Sequence, residues 1–466
     1  MGSAEASKPL RLSDTLCNHV ASFDAASMTP ATIHAAKRVL LDAVGVMIAA
    51  SGRSKEARPF IDIASRASGG PCSVLGTRLG APPHLAALTN GALAHALDFE
   101  DTFDRAPGHP HASLVPALIA LSQSEGPIEG REFLAALALG GDLACRLGLA
   151  LKKPLEDGGW YPPPILAAFG AAAGAARLLG LEAIQVRDAC SLMLCQATMP
   201  GEIKHSRQST VRAIREAFPA QAAVTCALLA RAGVRGFEEP FEGQAGFFAL
   251  YADGLYDQDA LTKDLGQKFW TEAVSFKLWP ACRGTHAHIE MALALRAQCV
   301  AEPADIIRII AEHDPVQQML VEPFASRSRP ASAIEAKFSL PFAIATALAK
   351  GRVGIADFDE AALADPVVLQ LAGRVEPRLC TDSGWQAGSG GSLKIVLANG
   401  REYELSLDQA GGCPERPLAD QQLLDKFRSC AAFAADPLAA SEISRLADSI
   451  LEIDRYVDVG AQFRPN

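Results

Sequence analysis

The stretch HALDFEDTFDRAPGHPH, from His95 to His111, gathers carboxylates, a threonine and three histidines in a chain otherwise rich in alanine and leucine. His95, Asp98 and Thr102 stand at i, i+3 and i+7, so they share one face if the helix that begins near His84 continues that far, with Asp101 beside the stripe. Pro107, Gly108 and Pro110 then break the helix and leave His109 and His111 on a loop or at the start of the next helix. A carboxylate, a hydroxyl and an imidazole converging on one point can move a proton at carbon. A solvated helix end capped by Asp fits the same residues.

A second cluster is FKLWPACRGTH, Phe276 to His286, ahead of an alanine-rich helix. Gly284 and Thr285 would sit at its N-terminus, where free N–H groups and the helix dipole attract an anion, and Lys277 and Arg283 add charge. That combination suits a carboxylate, although a capped helix with Cys282 in the core accounts for it equally. His109 and His111 lack an accompanying ligand set, so no metal is expected. The GSGGS run near Gly388 precedes a strand rather than opening a helix and reads as a turn, not a phosphate loop. No nucleophile elbow and no dinucleotide-binding fingerprint is present.

These groups need a scaffold to hold them. The chain has 466 residues, 49% hydrophobic and 21% charged, with mean hydropathy +0.13, which suits a well-packed globular protein and exceeds one ordinary core. Helical spacing of apolar residues persists from Leu12 to about Phe269, as in TIHAAKRVLLDAVGVMIAA, which predicts an all-helical domain. Near Trp270 the texture changes. AVSFKL and DIIRIIAEHD read as strands, THAHIEMALALRAQ and AKFSLPFAIATALAKG as helices, and LKIVLANGREYELSL as two strands around a tight turn at Asn399-Gly400. Helical patterning returns after GGCPERP. The expected fold is therefore mainly α: residues 1–269 and 409–466 as a discontinuous helical domain, and 270–408 as a smaller α+β lid domain, with a cleft between them for a ligand.

The net charge of −10 and the lack of a basic stripe argue against a nucleic-acid partner. Eleven cysteines without CxxC pairs read as reduced and mostly buried. The N-terminal MGSAEASKPLRLSD lacks an apolar signal core, and the longest small apolar run, from Ile165, falls short of the roughly 20 residues a membrane span needs. The expectation is a soluble, cytoplasmic protein.

Five blocks, NGALAHALDFEDTF, GHPHASLVPALIAL, FGAAAGAARLLGL, FKLWPACRGTH and EAKFSLPFAIATAL, resemble the MmgE/PrpD family in the right order. The resemblance implies an all-helical domain with an α+β lid, a homodimer, no cofactor, and an active site holding Asp98, Thr102 and His109 at the domain interface, with His286 facing them from the lid. Two departures stand out. GWYPP puts Tyr161 where many lyase members have a His, and VRAIREAFPAQAA puts Arg212 where a Lys is usual, which suits a carboxylate clamp better than decarboxylase chemistry.

Those variants look most like the epimerases of the family. The expected reaction is cofactor-independent inversion of a carbon beside a carboxylate in a small anionic polycarboxylate of the iminodisuccinate type, with Arg212, Lys277 and Arg283 receiving its charge. His109 would serve one face and Tyr161 or His286 the other. Asp98 would orient His109, and Thr102 would hold a carboxylate. A methylcitrate-type dehydratase or cis-aconitate-type decarboxylase, and a non-catalytic polycarboxylate-binding homologue, are the alternatives.

Overall fold

A computed structural model describes residues 11–67, 69–106, 108–206, 209–299, 302–381 and 384–464. Pro107 and the N-terminal stretch through Leu10 lie outside the described residues. The chain is 57% helix and 9% strand, so the mainly α class holds.

Six helices frame the site: α1 (Pro30–Arg53), α2 (Pro83–Ala96), α3 (Leu114–Glu125), α4 (Gly130–Leu149), α5 (Pro162–Leu178) and α6 (Ala217–Arg231). Proline occupies the first turn of α1, α2 and α5, where its missing N–H costs nothing and its fixed φ is already helical. Small residues let these helices approach closely. A Cβ at Gly91 would stand 2.6 Å from the Glu216 carbonyl oxygen and 2.8 Å from the Ala220 methyl. The bare backbone at Gly91 thus lets α2 lie on the start of α6, and places His95, one turn further on, beside the segment carrying Arg215 and Glu216.

The predicted extension of α2 to Thr102 does not occur. The helix ends at Ala96, and Asp98 takes φ +50°, a left-handed turn that Asp tolerates better than most residues.

A four-stranded mixed sheet comprises β1 (Ile306–His313), β2 (Val375–Leu379), β3 (Gly391–Leu397) and β4 (Glu402–Leu407) in the order β2-β1-β3-β4. β1 pairs parallel with β2 and antiparallel with β3. The β3–β4 hairpin differs in detail from the expected two-residue turn. Leu397 N–H bonds the Arg401 carbonyl around a three-residue loop in which Gly400 has φ +82° and Asn399 is not left-handed, the pattern of a three-residue loop with a left-handed Gly.

Helix α7 (His286–Gln298) packs on β3 and β4 and against α8 (Leu340–Lys350). The expected single helix over 336–351 is interrupted, because the Ser339 side chain accepts from Phe342 N–H and starts α8 afresh after a short turn, Ala333–Lys337. AVSFKL is not a strand: Trp270–Ala273 is a 3-10 turn, and Ser275 makes an isolated bridge to Thr102. The last part of the chain returns to the first. α9 (Asp420–Ala431) lies on α1, with Phe427 against Gly45 and Lys426 Nζ 2.6 Å from Asp42. All eleven cysteines are free, and Cys195 alone is exposed. No described helix is long and apolar enough to cross a membrane.

Candidate active site

The turn after α2 is held from three remote places. Lys337 Nζ donates to the Ala96 carbonyl at 3.0 Å, Lys277 Nζ to the Asp98 carbonyl at 2.9 Å, and Lys426 Nζ to the Phe99 carbonyl at 2.7 Å. These carbonyls belong to the last turn of α2 and the reversal beyond it, where helical partners run out and cations are favoured. Three buried ammonium groups thus fix a strained turn that one segment could not hold alone.

Lys277 also donates to Asp98 Oδ1 at 2.6 Å. It was expected to receive substrate; in the fold it is fully buried and committed to Asp98. Burial alone would raise the Asp98 pKa, but the Lys277 ammonium outweighs it and holds the carboxyl below its ordinary range.

Glu100 is the residue the sequence reading passed over. His95 Nδ1 hydrogen-bonds its carboxylate, and His109 Nδ1 lies 2.9 Å from Glu100 Oε1 and 3.0 Å from the Asp101 carbonyl. Both neighbours of His109 Nδ1 only accept, so Nδ1 carries the proton and Nε2 keeps its lone pair. Asp98 was expected to orient His109; Glu100 does so. Burial disfavours the Glu100 anion, yet His95, Lys277 and His109 together keep its pKa well below the usual range. Burial, then the Arg215 charge, lowers the His95 pKa to about 3, so His95 is a neutral donor. Its ring meets that of His109 edge-on at 5.2 Å. Of this group His109 alone is open, with 13% of its side chain exposed, while His95, Asp98 and Glu100 are sealed.

The donor atoms of His95, Asp98, Glu100 and His109 lie within 4.8 Å of one another, a set that could also hold a divalent cation. The sequence alone led to no metal being expected, because only His109 and His111 were weighed as ligands and Glu100 was passed over. Lys277 already supplies a positive charge at Asp98.

The remaining expected residues are placed as follows. Thr102 Oγ1 donates to the Gly108 carbonyl at 3.3 Å, so it pins the turn carrying His109 rather than offering its proton to a ligand. Arg283 is not a free carboxylate clamp: its guanidinium donates to Asp104 at 3.0 Å and to the carbonyls of Gly411 and Ala410. His286 is fully buried against Trp279, its Nε2 donating to the Ala281 carbonyl at 3.2 Å and its Nδ1 unpartnered. Burial, then Arg283 and Lys277, push its pKa far down, so it is a sealed neutral ring. His111 is also sealed, its Nδ1 donating to Asp101 at 2.8 Å. Burial, then Asp98, raises the Cys282 thiol pKa, which disfavours the thiolate a cysteine base requires.

Tyr161 caps the start of α5 with two cations over its ring, Arg215 at 5.1 Å and Lys204 at 5.4 Å. Arg212 stacks on Phe338 at 3.6 Å, and its Nε and Nη2 have no partner among the described residues. It borders a cavity of about 380 Å³ lined also by Ile203, Lys204, Ser209 and Glu335. An unpaired buried guanidinium at a cavity wall is equipped to receive an anion.

Known proteins bear on this arrangement. Residues 14–258 match the MmgE/PrpD N-terminal domain and residues 279–450 the MmgE/PrpD C-terminal domain. The chain is 27% identical to the cis-aconitate decarboxylase-like protein oryM of Aspergillus oryzae over 95% of both chains. It is 28% identical to the cis-aconitate decarboxylase of Homo sapiens over 75% of this chain and 72% of that one. It is 24% identical to the 2-methylcitrate dehydratase of Cupriavidus necator over 83% and 84%. These relatives are lyases by name, and the two domain matches together span most of the sequence: the chain belongs to the MmgE/PrpD family.

Proposed function

We infer that the chain is an enzyme of the lyase type whose base removes a proton from a carbon beside a carboxylate of a small polycarboxylate, as a dehydratase does; a decarboxylase would instead break the C–C bond to release carbon dioxide and return a proton to that carbon. One observation carries this reading: His109 Nδ1 is occupied by two acceptors, Glu100 and the Asp101 carbonyl, which leaves Nε2 as the open lone pair of the cluster. A general base needs that tautomer and a partner that stabilises the imidazolium once the proton arrives, and the Glu100 carboxylate is such a partner. Arg212 would hold a carboxylate of the substrate and draw charge from the developing enediolate. In this reading residues 1–269 with 409–466 form the body of the molecule, and 270–408 the lid.

Tyr161 favours a second reading, inversion of an iminodisuccinate-type substrate. A phenol flanked by Arg215 and Lys204 can donate a proton from the side opposite a base, and a two-base epimerase requires that second group. Incubation with cis-aconitate, 2-methylcitrate and single isomers of iminodisuccinate in D2O, followed by NMR and chiral separation, tells these apart. Release of carbon dioxide or water supports the lyase. Isomer interconversion with deuterium uptake, abolished in Tyr161→Phe, supports the epimerase. Tight binding of all of them with no turnover would leave a non-catalytic binder and refute both.

A further inference from the structure

Arg215 has been given no contact with substrate so far, yet it is buried between the Tyr161 ring and Glu216. Its side chain is 1% exposed, its Nε donates to Glu216 Oε1 at 3.2 Å, and its Nη1 has no partner among the described residues. Glu216 is itself shared, because it also accepts the Ser113 hydroxyl. The guanidinium lies over the Tyr161 ring, and its charge reaches His95 as well as Asp98 and Glu100.

A buried guanidinium N–H without an acceptor bears its full desolvation cost. Folds keep such donors where something else completes them. Arg212 repeats the pattern one helical turn earlier, with Nε and Nη2 unpartnered and no carboxylate within ion-pair distance among the described residues. Two guanidiniums with open donors, at i and i+3 of one short segment, are more than a single carboxylate needs.

We propose that Arg215 is a substrate-binding residue that acts with Arg212, so that the site selects ligands bearing at least two carboxylates, one for each guanidinium. This rests on the reading that the site takes carboxylates, but not on which bond the enzyme breaks. Arg215→Lys would keep the charge and lose the planar fork, so it would restore part of the affinity and not all of it.

Calorimetric titration with tricarballylate, glutarate and butyrate, which carry three, two and one carboxylates, tests the proposal without turnover. Wild-type protein is expected to bind the first two much more tightly than butyrate. Arg215→Gln is expected to weaken tricarballylate and glutarate roughly 10- to 100-fold, the range of one lost charge-assisted hydrogen bond, while leaving butyrate within about threefold. Arg215→Lys should fall between them, and it carries the test if circular dichroism shows Arg215→Gln misfolded. Equal loss for all three ligands, no loss for any, or no binding to wild type would overturn the proposal. Normal titrations with no proton exchange on any substrate would instead sink the catalytic reading and leave this one standing.

Discussion

Replacing Glu100 by Gln changes one oxygen for nitrogen and keeps the side chain's shape, yet it should disable His109. Glu100 Oε1 faces Nδ1 of both His95 and His109, at 2.9 Å from the latter. The amide can present an N–H to one of these rings, which drives that ring's proton to Nε2, the wrong tautomer for a base. Even where the amide oxygen faces His109, it no longer neutralises the imidazolium. A positioned general base is worth about 10²–10⁴ in rate, so a loss of roughly 10²–10³ in kcat is expected, or about 2.7–4 kcal/mol of barrier. Binding of unreactive tricarballylate should change little, because Glu100 is sealed from the cavity. Steady-state kinetics beside a calorimetric titration measures both. A variant that keeps a third or more of wild-type kcat, or that loses affinity and kcat alike, refutes the assignment of Glu100 as the group orienting His109.

Three further outcomes follow from the packing and the buried charges. Gly91→Ala places a methyl 2.6 Å from the Glu216 carbonyl and should cost about 1–3 kcal/mol of stability in urea unfolding, with kcat/KM reduced because the segment carrying Arg215 shifts; an unchanged midpoint would mean α2 and α6 are not in such close contact. Lys337→Met removes the donor to the Ala96 carbonyl and should lower Tm by an amount worth about 1–3 kcal/mol, whereas a variant as stable as wild type would show that the other two lysines suffice. His95 and His288 have pKa values lowered from 6.5 to about 3 and about 4, in each case chiefly by burial. The native state keeps these rings neutral while the unfolded chain protonates them below pH 6.5, so their contribution to stability is present above that pH and is lost as pH falls toward 4, at up to about 1.4 kcal/mol per pH unit for each. Thermal melts at pH 7 and 4.5 should show a fall in Tm that is smaller in His288→Gln; a Tm independent of pH would contradict this.

Residue types made the His95–His111 stretch legible as a site, and periodicity made the helices and the hairpin near Gly400 legible as elements. What stayed hidden depends on contacts between distant segments. The partner of Asp98 is Lys277, 179 positions away, and nothing in local patterning links them. The left-handed Asp98 turns the chain so that Glu100, rather than a residue on the helix stripe, meets both His95 and His109; extending the helix to Thr102 concealed this. Arg283 looked free because Asp104 and the 410–411 carbonyls reach it only in the folded chain. Arg215 stands in the same block as Arg212, and its unpaired donors become visible only once burial is known. The AVSFKL segment has strand-like composition, but its backbone is satisfied piecemeal, by a bridge from Ser275 to Thr102, by the Gly412 carbonyl at Phe276 N–H and by Lys426 at the Lys277 carbonyl, with no neighbouring strand among the described residues.

The central claim is that His109 Nε2 takes a proton from carbon, and solvent exchange tests it most directly. Wild-type protein and His109→Gln would be incubated in D2O with cis-aconitate, 2-methylcitrate and iminodisuccinate, and deuterium at the carbons beside the carboxylates followed by NMR. The account predicts deuterium in the product or recovered substrate of at least one compound with wild type, and at most a trace with the variant, whose fold is checked by its melting curve. Exchange by His109→Gln at the wild-type rate would contradict it and move the base elsewhere in the site.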